Sequence, residues 1–201
     1  MEDLSLHILD IAENSVAAGA AVIEITIEEH TVHDLLSLEI KDNGRGMDEE
    51  IKKMVADPFF TTKTVRRVGL GLPFLKQAAD ECNGSFSIAS VEGKGTIISA
   101  TFKRSHIDRK PLGDIAASIM VLIAGNPHTD FVFHYRIDDY LYHFDTREIR
   151  EDLDGVPINT PEVLKILRED IDRGVSAGRE HHPSRTPVEG SAKKPQGFSG
   201  H

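Results

Sequence analysis

The sequence predicts an α/β sandwich, with helices on one face of a mostly antiparallel sheet and a small α/β appendage at its C-terminal end. Three observations carry that prediction. Stretches with a helical apolar period (residues 4–17 and 72–82) are interspersed with stretches of period two (22–28, 35–42, 85–92 and 96–103). The period-two stretches come in neighbouring pairs joined by short polar or glycine breaks, as antiparallel hairpins do. Over 201 residues, a hydrophobic fraction of 39% is enough to build a core.

Leu4, Ile8, Ile11, Ala12 and Ser15 share one face of the first predicted helix, and Gly19 offers its stop. In the strand that follows, Ile23, Ile25 and Ile27 alternate with Val22, Glu24, Thr26 and Glu28. A turn over 30–34 leads to LLSLEIKD, and Asp42-Asn43-Gly44-Arg45-Gly46 breaks that strand. A short helix is predicted over 47–55, then an ordered loop through FFTTKTVRRVGLGL. The helix over 72–82 stops at Asn83-Gly84, and two further strands flank Gly93-Lys94-Gly95.

Residues 1–104 are therefore one unit. Residues 105–174 form the appendage, with a helix over 111–124, strands over 131–136 and 140–145, and a helix over 161–173 capped by Thr160. Seventy residues are few for an independent core, so this unit is expected to lean on the first. Residues 175–201 lack an apolar period and are expected to be a disordered tail.

Lys+Arg of 23 against Asp+Glu of 33 leaves a net charge of −10, the wrong sign for a nucleic-acid coat or an anionic membrane surface. The one cysteine, Cys82, can form neither an internal disulfide nor a cysteine-cage zinc site. Acidic residues near Met1 do not make a signal peptide, and no apolar run reaches the ~18–20 residues of a membrane span. A cytoplasmic protein is expected.

Four polar clusters stand at element boundaries. Asp10 and Asn14 are four apart on one helix face, where oxygen ligands suit a hard cation. Asp42 with Gly44 and Gly46 offers an acceptor for an exocyclic amino group, with backbone able to approach a flat ring. Lys63, Arg66, Arg67, Gly69 and Gly71 bring cations and a helix start to where phosphates need neutralising. Gly93, Gly95 and Thr96 put a hydroxyl at a strand start. Taken singly, each is also an ordinary turn or solvated helix face.

Together and in this order, the clusters resemble the N, G1, F, G2 and G3 boxes of the GHKL ATPase superfamily, over residues 4–103. ENSVAAGA is similar to the N box of the mismatch-repair ATPases, whereas DPFFTTK, GLGLPFLK and NGSFSIASVEGKGT look like the histidine-kinase catalytic domain. The resemblance implies a Bergerat fold that binds ATP with Mg2+. It implies that Asn14 meets the magnesium ion and Asp42 takes the adenine amino group, supported by Thr96, with Gly44 and Gly46 bordering the base. Gly69, Leu70 and Gly71 would form the lid end over the phosphates, with Lys63 and Arg67 as phosphate contacts. Lys76 matches a lysine on the helix after the lid.

The chain departs from the pattern in three places. Asp10 stands where gyrase-type enzymes carry a general-base glutamate, Ala17 and Ala18 end the N box, and Arg67 replaces the first lid glycine. The N-box helix starts so near Met1 that no phosphoacceptor hairpin is expected before it, and His7 fits no phosphoacceptor pattern. The expectation is a stand-alone kinase module acting on His or Ser/Thr of a separate protein. The alternative is a slow ATPase or ATP-gated switch, with Asp10 as the catalytic acid–base residue. His128, His134 and His143 are expected in structural roles. Surplus apolar residues in 105–174 need cover from the first unit, a second copy or a protein client, and this unit is expected to be the docking surface for the partner or for self-association.

Overall fold

The computed structural model describes residues 3–47 and 71–181. Asp3 caps the first helix, α1 (Leu4–Ala17), its carboxylate accepting the Leu6 N–H at 3.1 Å. Leu4, Ile8, Ile11, Ala12 and Ser15 are buried, the face expected from the sequence. Strands β1 (Val22–His30) and β2 (Leu35–Asp42) pair antiparallel with Ile25 opposite Ile40, and Asp34 takes a positive φ in the turn between them. Helix α2 (Gly71–Glu81) buries Leu72, Leu75, Ala78 and Ala79. Strands β3 (Ser85–Val91) and β4 (Gly95–Lys103) form the next hairpin, and β4 pairs with β2 so that Thr96 faces Asp42. The helix expected over 47–55 and the loop that follows it lie outside the described residues.

The appendage does not stand apart from this unit. Strand β5 (Asp130–Ile137) lies parallel to β1, and β6 (Tyr140–Asp145) pairs antiparallel with β5. One six-stranded sheet results, in the order β3-β4-β2-β1-β5-β6. Phe131, Phe133 and Tyr135 stand opposite Ile23, Ile25 and Ile27, extending a single apolar face. At roughly 1.5–3 kcal/mol for each large side chain buried, this shared face is a major part of the fold's stability. The expected boundary at Arg104 is also tied down. The Arg104 guanidinium donates to buried Glu29 at 2.7 Å, and Tyr135 donates its hydroxyl to the same carboxylate at 2.9 Å. Burial and that neighbouring carboxylate push the Tyr135 phenol far above its ordinary range.

The helices make the second layer. Helix α1 packs between α2 and α3 (Ile115–Gly125), and α3 packs on α5 (Pro161–His181). Helix α3 starts later than expected because Asp114 caps it, accepting the Ala117 N–H. The carbonyls of Pro111 and Leu112 instead take the free N–H groups of Leu4 and Ser5 at the start of α1. A short helix, α4 (Thr146–Asp152), follows β6; TREIRED has too little apolar period to announce it.

The tail boundary at 175 needs correction. Helix α5 runs on to His181, with Gly174, Val175 and Gly178 buried. The sequence shows those glycines as helix breakers, yet they make room for the tyrosines of β6. A Cβ on Gly174 would lie 2.2 Å from the Tyr142 ring, and the Tyr140 hydroxyl donates to the Gly174 carbonyl at 2.7 Å.

Candidate functional site

At one end of the sheet, α1, the 42–47 segment, the start of α2 and the β3–β4 turn enclose a cavity of about 670 Å³. Asn14, Asp42, Gly46 and Thr96 line it, as do Arg45 and Leu72. Its walls are fixed by backbone bonds. The Arg45 N–H donates to the Ala18 carbonyl at the end of α1, and the Gly93 N–H donates to the Arg45 carbonyl at 2.7 Å. Asn43 Oδ1 accepts the Ala21 and Val22 N–H groups, holding the end of β2 to the start of β1.

Asp42 is buried at the last position of β2. Ser15 donates its hydroxyl to Asp42 Oδ2 at 2.7 Å, and the Gly44 N–H donates to Oδ1 at 2.9 Å. Each carboxylate oxygen has more than one lone pair, so the group keeps acceptor capacity toward the cavity. Gly46 takes φ +70°, and a Cβ there would lie 2.2 Å from the Val91 carbonyl. No other residue fits both the conformation and the gap.

Thr96 is buried opposite Asp42, and its hydroxyl lies 2.9 Å from that of Ser90. Ser90 donates its own proton to the Gly95 carbonyl and accepts the Met47 N–H. With the Ser90 proton on the Gly95 carbonyl, the Thr96 hydroxyl donates to Ser90, and in either arrangement its oxygen has lone pairs for a further donor. Asp42 and Thr96 together make one wall an array of acceptors, which suits a ligand edge bearing an amino group.

The other wall differs. Asn14 lines the cavity from the last turn of α1, and its amide nitrogen is buried with no partner among the described residues. A buried N–H group in that state has donor capacity that a ligand or a water can use. The Asn14 side-chain oxygen fits a hard divalent cation that keeps most of its waters. One turn earlier, Asp10 is half-buried against the start of α2, and a Cβ on Gly71 would fall 2.2 Å from Asp10 Oδ2. His7 is buried another turn back, with Nδ1 unpartnered among the described residues. Burial holds its imidazole below the ordinary range.

Of the expected site residues, Asn14, Asp42, Gly44, Gly46 and Thr96 converge at this end of the sheet, while Asp10 and Gly71 meet at the junction of α1 and α2. Lys63, Arg67, Gly69 and Leu70 lie outside the described residues. Lys76 pairs with Asp80 at 2.9 Å along the surface of α2. Ser15 and Ser90, which orient Asp42 and Thr96, were not singled out from the sequence. Ser15 did leave a signal, as the polar member of the buried stripe of α1.

Residues 2–106 match the family model described as histidine kinase-, DNA gyrase B- and HSP90-like ATPase. The chain belongs to this family. Residues 2–106 are an ATP-binding GHKL domain with the Bergerat fold, related to the ATPase domains of histidine kinases. Among curated proteins the chain is 39% identical over 85 residues to a "Putative sensor protein" of Shewanella frigidimarina, a match covering 42% of this chain and 13% of that protein. It is 33% identical over 91 residues to sporulation kinase C of Bacillus subtilis, covering 44% of this chain and 21% of the kinase. The matches thus span about a fifth or less of these relatives' length. Among solved structures, the MutL ATPase domain of Aquifex aeolicus with ADP aligns at a TM-score of 0.46 and 16% identity, covering 68% of this chain and 60% of that one. No helix among the described residues is long and apolar enough to cross a membrane.

Proposed function

We propose that this GHKL domain is a histidine-kinase-type catalytic module that binds ATP with Mg2+ and donates the γ-phosphate to a His or Ser/Thr side chain of a client protein. The observation that carries the reading is the split character of the cavity. One wall, built on Asp42 and Thr96, is an acceptor array for the adenine amino group. The other carries Asn14, whose side-chain oxygen is proposed to meet the cation and whose buried, unpartnered amide nitrogen is left to donate to a phosphate oxygen or a water. A bound Mg2+ would neutralise phosphate charge there. Phosphoryl transfer asks chiefly for positioning and charge neutralisation, which this arrangement supplies. Lys63, Arg67, Gly69, Leu70 and Gly71 are proposed to complete it on the phosphate side. The acceptor nucleophile takes the γ-phosphorus as the bond to the β–γ bridging oxygen breaks, and ADP leaves with that electron pair. None of the described residues lining the cavity is a histidine, so the acceptor is proposed to come from outside it.

A second reading, an ATP-gated switch with slow hydrolysis, is favoured by Asp10. Its carboxylate packs against Gly71, so a nucleotide that moves the start of α2 must also move Asp10 and α1. Incubation with γ-labelled ATP, Mg2+ and a bacterial protein extract separates the two. Protein-bound label supports the kinase, with acid lability marking phosphohistidine. Free phosphate without labelled protein supports the switch.

A further inference from the structure

The opposite face of the sheet carries ligand-type side chains that the nucleotide site does not use. His134 on β5 and His143 on β6 stand directly opposite each other in the antiparallel pair. Their rings stack with centroids 4.8 Å apart and planes 28° apart, and their Nδ1 atoms are separated by 3.2 Å. Two ligands on one tetrahedral zinc ion, each about 2.0–2.1 Å from the metal, are separated by about 3.3 Å. The two Nδ1 atoms share one proton in a hydrogen bond at their 3.2 Å separation, and replacing the proton by an ion requires almost no change of spacing.

The surroundings fit the same use. His134 Nε2 faces Glu24 Oε1 at 3.6 Å, and His143 Nε2 faces Glu148 Oε1 at 3.9 Å. A metal-bound histidine characteristically directs its other ring N–H at a carboxylate, which fixes tautomer and orientation. Asp145 and Glu148 each bring a carboxylate oxygen within 4.8 Å of a His143 ring nitrogen. Asp145 is already engaged by the backbone N–H and guanidinium of Arg147, whereas the Glu148 side chain is 74% exposed and free to swing inward. Imidazole-rich sites with carboxylate support select zinc, copper or nickel over magnesium or calcium.

We propose that the stacked His134–His143 pair, supported by Glu148 and Glu24, is a binding site for a divalent transition-metal ion of the zinc class. It lies on the face of the sheet remote from the cavity, and it does not depend on the kinase or switch reading.

Calorimetric titration of the full chain with zinc chloride tests the proposal. Three variants accompany the wild type: His143→Ala, Glu148→Gln, and one in which His181, His182 and His201 are all replaced by Ala. The expected result is one binding event shared by the wild type and the triple tail variant. Affinity falls by more than about tenfold in His143→Ala and by about tenfold in Glu148→Gln. ATP binding stays unchanged in all three. Zinc binding lost with the tail histidines but kept in His143→Ala overturns the proposal, as does a wild type that binds no zinc. If His143→Ala fails to fold, Glu148→Gln decides, and undiminished affinity there overturns it.

Discussion

The two walls of the cavity are built to opposite rules. On the Asp42 wall the two named acceptors are held: Ser15 and the Gly44 N–H fix the carboxylate, and Ser90 bonds Thr96. On the Asn14 wall the amide nitrogen is buried without a partner among the described residues, and Asp10 rests on the first residue of α2. A wall satisfied before the ligand arrives costs little to organise and sets specificity. A wall with an unsatisfied group has partners still to gain, so under the proposed function it is the half that responds to the ligand. Comparable hydrogen-bonding groups are thus divided between recognition and response.

The largest expected effect breaks the Asn14 wall alone. Asn14→Ala should abolish phosphate transfer and hydrolysis, while adenosine affinity by calorimetry stays within about twofold, because the proposed base contacts lie on the other wall. Full Mg2+-dependent activity in that variant would remove Asn14 from the cation site. Next is Asp42→Asn, which replaces an acceptor by an amide and can set a donor against the adenine amino group. An unpaired buried donor costs about 1–3 kcal/mol, so ATP affinity should drop by about tenfold or more. An unchanged dissociation constant would separate Asp42 from the base.

Ser15→Ala sharpens the contrast by loosening the satisfied wall without touching the ligand. Asp42 Oδ2 loses its 2.7 Å donor. The chain should lose about 1 kcal/mol in urea denaturation and bind ATP a few-fold more weakly. Equal stability and affinity would mean that water replaces the hydroxyl at no cost.

The smallest effect concerns His7, behind the responsive wall. Its imidazole is held below the ordinary value of 6.5, so the folded chain resists a proton that the unfolded chain accepts. Its contribution is complete above about pH 6.5 and declines as the pH falls below it. His7→Gln should therefore flatten the fall in the urea midpoint between about pH 6.5 and 5. An unaltered slope would assign that fall to other groups.

Much of this molecule is written in local pattern. The isoleucine alternation of β1 and the apolar stripe of α1 announce those elements because each periodicity needs only neighbouring residues. The candidate site residues stood out for a related reason: glycines and an acid at a strand end mark where backbone can approach a flat ring. The long-range choices left no such mark. That β5 lies parallel to β1 and completes one sheet depends on pairing residues more than a hundred positions apart, which no local period records. The same holds for α5, whose Gly174 and Gly178 look like breakers until the tyrosines of β6 come to rest against them. Ser15 beneath Asp42, and His134 against His143, are likewise ordinary residues in the sequence. The sequence by itself determined most of the described elements, because those follow from nearest-neighbour sterics and hydrophobic period, and its ordered polar clusters carried the resemblance to the nucleotide boxes. Only the tertiary structure decided which side chains meet, because that depends on how the strands line up in the sheet.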